Sequence, residues 1–181
     1  MLDTLKSTAR ELRTILDEIS ILDTKDREAK KALREVAKTG NLDDPKVQRI
    51  VSNARITLDL VASRRNYVES ATSETAATLI RELRAVDKLW TKAVQARIDQ
   101  LEARIREANA PFFDGDTRLM LSTLEAVSFP ALISARRAHT PDTLPLNQST
   151  KPEDMPDLVK SYVGHVQTHA RRLSITIGEA A

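Results

Sequence analysis

The chain has 181 residues, enough for one domain or for one domain with an appendage. With no Cys, 4 Gly and aromatics at only 3%, it has no disulfide framework, thiolate metal site, cysteine nucleophile or phosphate-cradling glycine loop, and frequent β-turns are disfavoured. Lys and Arg number 28 against 26 Asp and Glu, and the net +2 is uneven: residues 46–110 carry 12 basic and 8 acidic groups, while the flanking stretches are each slightly acidic.

The first predicted helix runs from about Asp3 to Lys38. With Leu5 at heptad position a, the a positions are Leu5, Leu12, Ile19, Asp26 and Leu33. The d positions are Thr8, Ile15, Leu22, Ala29 and Val36. Eight of these ten are apolar, which is the pattern of a coiled-coil seam. Ala9 and Leu16 widen the stripe, and the remaining faces are charged. The opening residues mix charges throughout and lack the apolar core of a signal peptide. Thr39-Gly40-Asn41 ends the helix, with Gly40 expected in the left-handed conformation of a C-terminal cap.

Asp44 and Pro45 start the second helix, as N-cap and first helical residue. So short a connection folds this helix back antiparallel on the first. No Gly or Pro occurs from Lys46 to Ala110, which predicts one helix of roughly 95–100 Å at 1.5 Å per residue. Val47, Val51, Ala54, Leu58 and Val61 form its first seam, and Arg65 stands at the next seam position. A second seam runs through Leu83, Val86, Trp90, Val94, Arg97, Leu101, Ile105 and Ala108, with Arg97 as its interruption. Six of the residues 63–78 are Ser or Thr, and only Val68 continues the seam there; a continuous helix is favoured over a break.

Pro111-Phe112-Phe113-Asp114-Gly115 turns the chain. A third helix is expected from Thr117, capped by Asp116, to about Ala138, with Met120, Leu124, Val127, Ala131 and Ala135 on one face and, because of Pro130, a kink or a break after Ser128. Residues 139–156 form a proline-rich loop, and a last helix runs from about Asp154–Pro156 to Ile177 with Val159, Val163, Val166, Ala170 and Leu173 on its apolar stripe. The predicted architecture is all-α: an elongated helical bundle built on the long second helix. Residues 1–110 form an antiparallel coiled-coil hairpin, and residues 111–181 pack on the second half of that helix.

Chemistry-bearing constellations are sparse. His165 and His169 stand one turn apart on the last helix, a spacing used by zinc sites, but no carboxylate lies within a turn, and they read as polar residues flanking the stripe. Glu153, Asp154 and Asp157 read as favourable charge at a helix N-terminus. No catalytic residue, cofactor-binding residue or metal ligand is assigned, and no small-molecule substrate is implied. Arg64, Arg65, Arg84, Lys88 and Lys92 are candidate phosphate contacts, interleaved by Glu82 and Asp87. Trp90, Phe112 and Phe113 are candidate partner-docking residues, with core packing the simpler reading for Trp90.

The sequence therefore predicts a non-enzymatic helical interaction protein, an adaptor, scaffold or assembly component, that is oligomeric or covered by a protein partner. Leu5, Leu12, Ile15, Ile19, Leu22, Leu33 and Val36 form its interaction seam. The alternatives are a nucleic-acid-associated helical protein using the basic middle third and, more weakly, a membrane-surface helical module. No apolar run approaches the ~20 residues of a membrane span, so the expected location is the cytoplasm or a larger intracellular assembly.

Overall fold

A computed structural model describes residues 1–40, 43–109, 130–138, 146 and 149–176. Among the described residues every regular element is an α-helix: α1 (Leu2–Thr39), α2 (Pro45–Asn109), α3 (helical over residues 130–138) and α4 (Met155–Leu173). The turn predicted after Ala110, with Phe112 and Phe113, the predicted first part of the third helix and His139 all lie outside the described residues.

Local chemistry accounts for the boundaries. The Asp44 Oδ1 accepts a hydrogen bond from the Lys46 backbone N–H at 2.8 Å, as an N-cap does, and Pro45 occupies the first helical position. Gly40 departs from expectation, because its φ is not in the left-handed region. Its smallness is what the turn uses. A Cβ there would stand 2.5 Å from the Val36 carbonyl oxygen and 3.2 Å from Val47 Cγ1. The last helix also ends earlier than its stripe predicts, at Leu173 rather than Ile177. Ser174 takes the left-handed conformation (φ 52°) and donates its N–H to the Arg171 carbonyl, while Ile175 donates to Ala170 at 2.9 Å. These two bonds make a Schellman cap, which satisfies the last carbonyls and stops the helix.

α2 is unbroken for 65 residues. In its Ser/Thr-rich stretch the hydroxyls are satisfied within the helix by bonding back to the preceding turn: Thr72 donates to the Val68 carbonyl at 2.8 Å and Ser73 to that of Glu69 at 3.1 Å. The seam also continues through this stretch, contrary to the sequence expectation. Val68, Thr72, Ala76 and Leu79 are all buried. Two of these are small or polar, and hydropathy does not mark them.

The described residues pack as two compact units, and α2 contributes to both. The first comprises Ser7–Leu79 with Lys151–Pro156. Here α1 and the first part of α2 lie antiparallel, with Val36 and Val47 meeting at Gly40 and Leu22 clustered with Val61 and Val68. Ile15 and Ile19 pack against that cluster. Every a and d position of α1 from Leu5 to Val36 is buried or half-buried, so the period read from the sequence matches its packed face.

The second unit comprises Met1–Lys6, Ile80–Thr150 and Asp157–Ala181. From α2 it buries Leu83, Val86, Trp90, Val94, Ile98 and Leu101. Ile98 replaces the predicted Arg97 in the stripe, and Arg97, half-buried beside it, donates to the Gln100 side chain at 3.3 Å. Ile98 brings a wholly apolar side chain to the stripe, whereas the guanidinium of Arg97 keeps its Nε buried with no hydrogen-bond partner among the described residues. Leu132, Ala135 and Ala138 of α3 and Val159, Tyr162, Val163, Val166, Ala170 and Leu173 of α4 are also buried in this unit. Arg136 of α3 donates to Glu102 of α2 at 2.8 Å, and Tyr162 of α4 donates its hydroxyl to Asp87 of α2 at 2.9 Å.

Candidate interaction surface

The two arginines that follow the first seam of α2 pair with carboxylates of α1 across the hairpin. Arg64 Nε donates to Glu18 Oε1 at 2.6 Å and Arg64 NH2 to Glu18 Oε2 at 3.2 Å, a two-pronged pairing that suits the planar guanidinium. Arg65 pairs with Asp23. Glu18 and Asp23 occupy g and e positions of the α1 heptad, where charges across a seam select register and direction. The hydrogen bonds from Arg64 hold the Glu18 carboxyl below the usual carboxylate range, against the smaller opposing effect of burial. The Glu18 hydrogen bonds in turn raise the Arg64 guanidinium. Asp26, the polar a residue, bonds Lys30 on its own helix at 2.7 Å.

Arg64 has a second contact. Its guanidinium carbon lies 4.7 Å from the centroid of the Tyr67 ring, a cation–π geometry. Tyr67 is nonetheless 63% exposed. Glu18, Arg64 and Tyr67 thus form a chain from α1 to an outward-facing aromatic. Two large apolar residues share that outward side of α2: Ile56 at 55% and Leu60 at 66% exposed. At 100° per residue these three side chains lie within a sector of about 40°, about 120° round the helix from the face formed by Ala54, Val61 and Val68. Ile21 on α1 and Ile50 on α2 are exposed as well. Beside Ile50, an open groove between α1 and α2 is lined by Ala29, Ala32 and Ala54.

The residues singled out from the sequence separate on this structure. Leu5, Leu12 and Leu22 are buried, and Ile15, Ile19, Leu33 and Val36 are half-buried, so the α1 seam packs inside the chain. Trp90 is 1% exposed and belongs to the core, which corrects its candidacy as a docking residue: an indole with no accessible surface has nothing to present. Among the candidate phosphate contacts, Arg64 and Arg65 are engaged by carboxylates, while Arg84, Lys88 and Lys92 are exposed. The residues that sequence reasoning missed are Ile56, Leu60 and Tyr67. Their 4- and 7-residue spacing makes a second stripe, about 120° round the helix from the first.

His165 and His169 do meet, with ring centroids 4.3 Å apart and planes tilted by 44°. Nε2 of His165 and Nδ1 of His169 are buried and have no hydrogen-bond partner among the described residues. Burial, then the charge of His165, then that of Arg172 lower the His169 pKa from its ordinary value, so the neutral ring is favoured. Among the described residues no three His, Asp or Glu side chains gather to hold a metal ion, and no helix is long and apolar enough to cross a membrane.

Compared with known protein families, curated proteins and solved structures, the chain matches none.

Proposed function

We propose that this chain is a non-enzymatic helical interaction protein, an adaptor, scaffold or structural component that works in an oligomer or a larger complex. The observation that carries this reading is the outward face of α2, where Ile56, Leu60 and Tyr67 align with more than half of each residue exposed. Single exposed apolar residues are ordinary on protein surfaces. Three aligned along one helical face, with the aromatic pre-positioned by Arg64, have the composition of a contact patch, since tyrosine supplies large area at low conformational cost. In this reading Arg64 and Arg65 are structural cations that set the hairpin register and so support the face.

Cross-linking coupled to mass spectrometry in cells tests it, comparing the wild-type chain with Leu60→Asp. The expected outcome is a set of cross-links near Ile56–Tyr67 that Leu60→Asp removes while the circular dichroism of the purified variant stays helical. An identical cross-link pattern in both chains would overturn the reading.

A further inference from the structure

The outward face of α2 has an internal symmetry that identifies its occupant. Two exposed charged residues lie on the same sector as Ile56, Leu60 and Tyr67, namely Arg49 at its N-terminal end and Glu74 at its C-terminal end. All five fall within about 40° of one another on the helix. They are also placed evenly about one point, between Val61 and Ala62: Arg49 is as far before it as Glu74 is after it, and Ile56 as far before it as Tyr67 is after it. Leu60 and the small, exposed Ser63 straddle the point itself. We infer that this face binds a second copy of the same chain, helix against helix and antiparallel, about a two-fold axis through that point.

The pairing follows from the symmetry of such an interface, in which a patch must complement itself. Antiparallel alignment brings Arg49 opposite Glu74 of the second copy at both ends. It brings Ile56 opposite Tyr67 of the second copy on both sides of the axis, and sets the two Leu60 side chains beside each other at the centre. A parallel alignment would instead stack Arg49 on Arg49 and Glu74 on Glu74, which is repulsive. Charge complementarity therefore selects both the partner and its direction. Within its own chain Glu74 accepts a hydrogen bond from the Ser70 hydroxyl at 3.3 Å, which leaves its second carboxylate oxygen for an arginine across the interface. The stripe spans about 37 Å of helix.

This inference rests on the outward face of α2 being an interaction surface, and it names what binds there. Sedimentation equilibrium of the full chain over a concentration series is the test. The expected result is a reversible dimer. Leu60→Asp is expected to make it monomeric with unchanged helicity, since Leu60 takes no part in the intramolecular seam. Arg49→Glu and Glu74→Arg are each expected to weaken the dimer about ten-fold, because each turns two attractive pairs into repulsive ones. The double reversal is expected to restore it. Because the chain has no cysteine, single introduced thiols report direction cleanly. Ser63→Cys is expected to cross-link to itself near the axis, and Arg49→Cys is not, its copies lying about 37 Å apart along the helix. A chain that stays monomeric at every concentration, a dimer indifferent to Leu60→Asp, a double reversal as weak as the singles, or self-cross-linking through Arg49→Cys would each overturn the inference. A monomer whose Ile56–Tyr67 face cross-links to a different protein would overturn self-pairing and leave the interaction reading standing.

Discussion

Gly164 stands in the interior of α4, and apart from the helix's own backbone and the neighbouring residues no heavy atom lies within 4 Å of the place a Cβ would occupy. Nothing there requires glycine, and its conformational freedom costs the helix about 0.5–1 kcal/mol relative to alanine. Ser174 presents the opposite case, a side-chain-bearing residue held at φ 52°, where glycine is the relaxed choice. Gly164→Ala and Ser174→Gly are each expected to stabilise the fold by about 0.5–1 kcal/mol, read as higher denaturation midpoints at constant slope. A fall in either midpoint would show that its local account is wrong. Gly40→Ala should do the reverse, because the added methyl meets a backbone carbonyl that cannot swing aside. His169 supplies a pH effect with a definite sign. Its pKa is lowered in the folded chain, so between that lowered value and the ordinary 6.5 the unfolded chain binds more protons. Stability from this group is fully present above pH 6.5 and is lost as pH falls through the folded value. The melting temperature should therefore drop on acidification, with a smaller drop in His169→Gln. Equal slopes in the two proteins would remove His169 from the account. None of these features except the existence of the glycines and histidines is visible in the residue string, because φ, open space and burial belong to the folded backbone.

Among the elements, α4 is held to α2 by apolar burial and by one buried hydroxyl. Tyr162 is almost wholly enclosed, and its hydroxyl bonds Asp87 at 2.9 Å. Removing it in Tyr162→Phe leaves the Asp87 carboxylate short of a donor in a part-buried position, with an expected loss of about 1–2 kcal/mol. Burial first, then the Asp87 hydrogen bond and charge, raise the Tyr162 hydroxyl above its ordinary value of 10.0. The folded chain therefore keeps this proton where the unfolded chain releases it. The contribution is complete below pH 10 and declines as pH rises beyond it, so the gap between wild type and Tyr162→Phe should narrow in alkaline solution; a constant gap would count against the bond. The heptad of α1 was readable in full, and so was the continuity of α2, because both depend on spacing and on the absence of Gly and Pro over tens of residues. The seam through Thr72 and Ala76 was not, since small and hydroxyl-bearing residues carry no hydropathy signal and become core only when a partner helix comes close. Arg97 marks the same limit. Its predicted place in the stripe followed the spacing, whereas the fold buries Ile98 there, a favourable burial of alkyl surface, and leaves Arg97 half-buried beside it.

At the scale of the whole molecule, the near balance of 28 basic and 26 acidic groups leaves little net repulsion between copies, which favours association. If the outward face of α2 pairs with itself, unfolding is coupled to dissociation and the melting temperature must rise with protein concentration. That dependence should vanish in Leu60→Asp, and a concentration-independent transition in the wild-type chain would contradict the pairing. Thermal scans at several concentrations are sufficient.

The all-helical class, the start of α2 at Asp44 and Pro45 and the packed face of α1 follow from the residue order alone, since capping and periodicity act over one or two turns of backbone. Which charges are structural, which aromatic is core and which apolar stripe faces outward depend on helices far apart in the chain. Arg64 and Arg65 look like a basic patch until Glu18 and Asp23 are brought against them. Trp90 reads as core or as an anchor until the fold encloses it, and Ile56, Leu60 and Tyr67 carry no assignment until Val61 and Val68 turn inward and leave them outside. A helix has two sides, and its sequence describes both; only the arrival of a partner helix determines which one is buried.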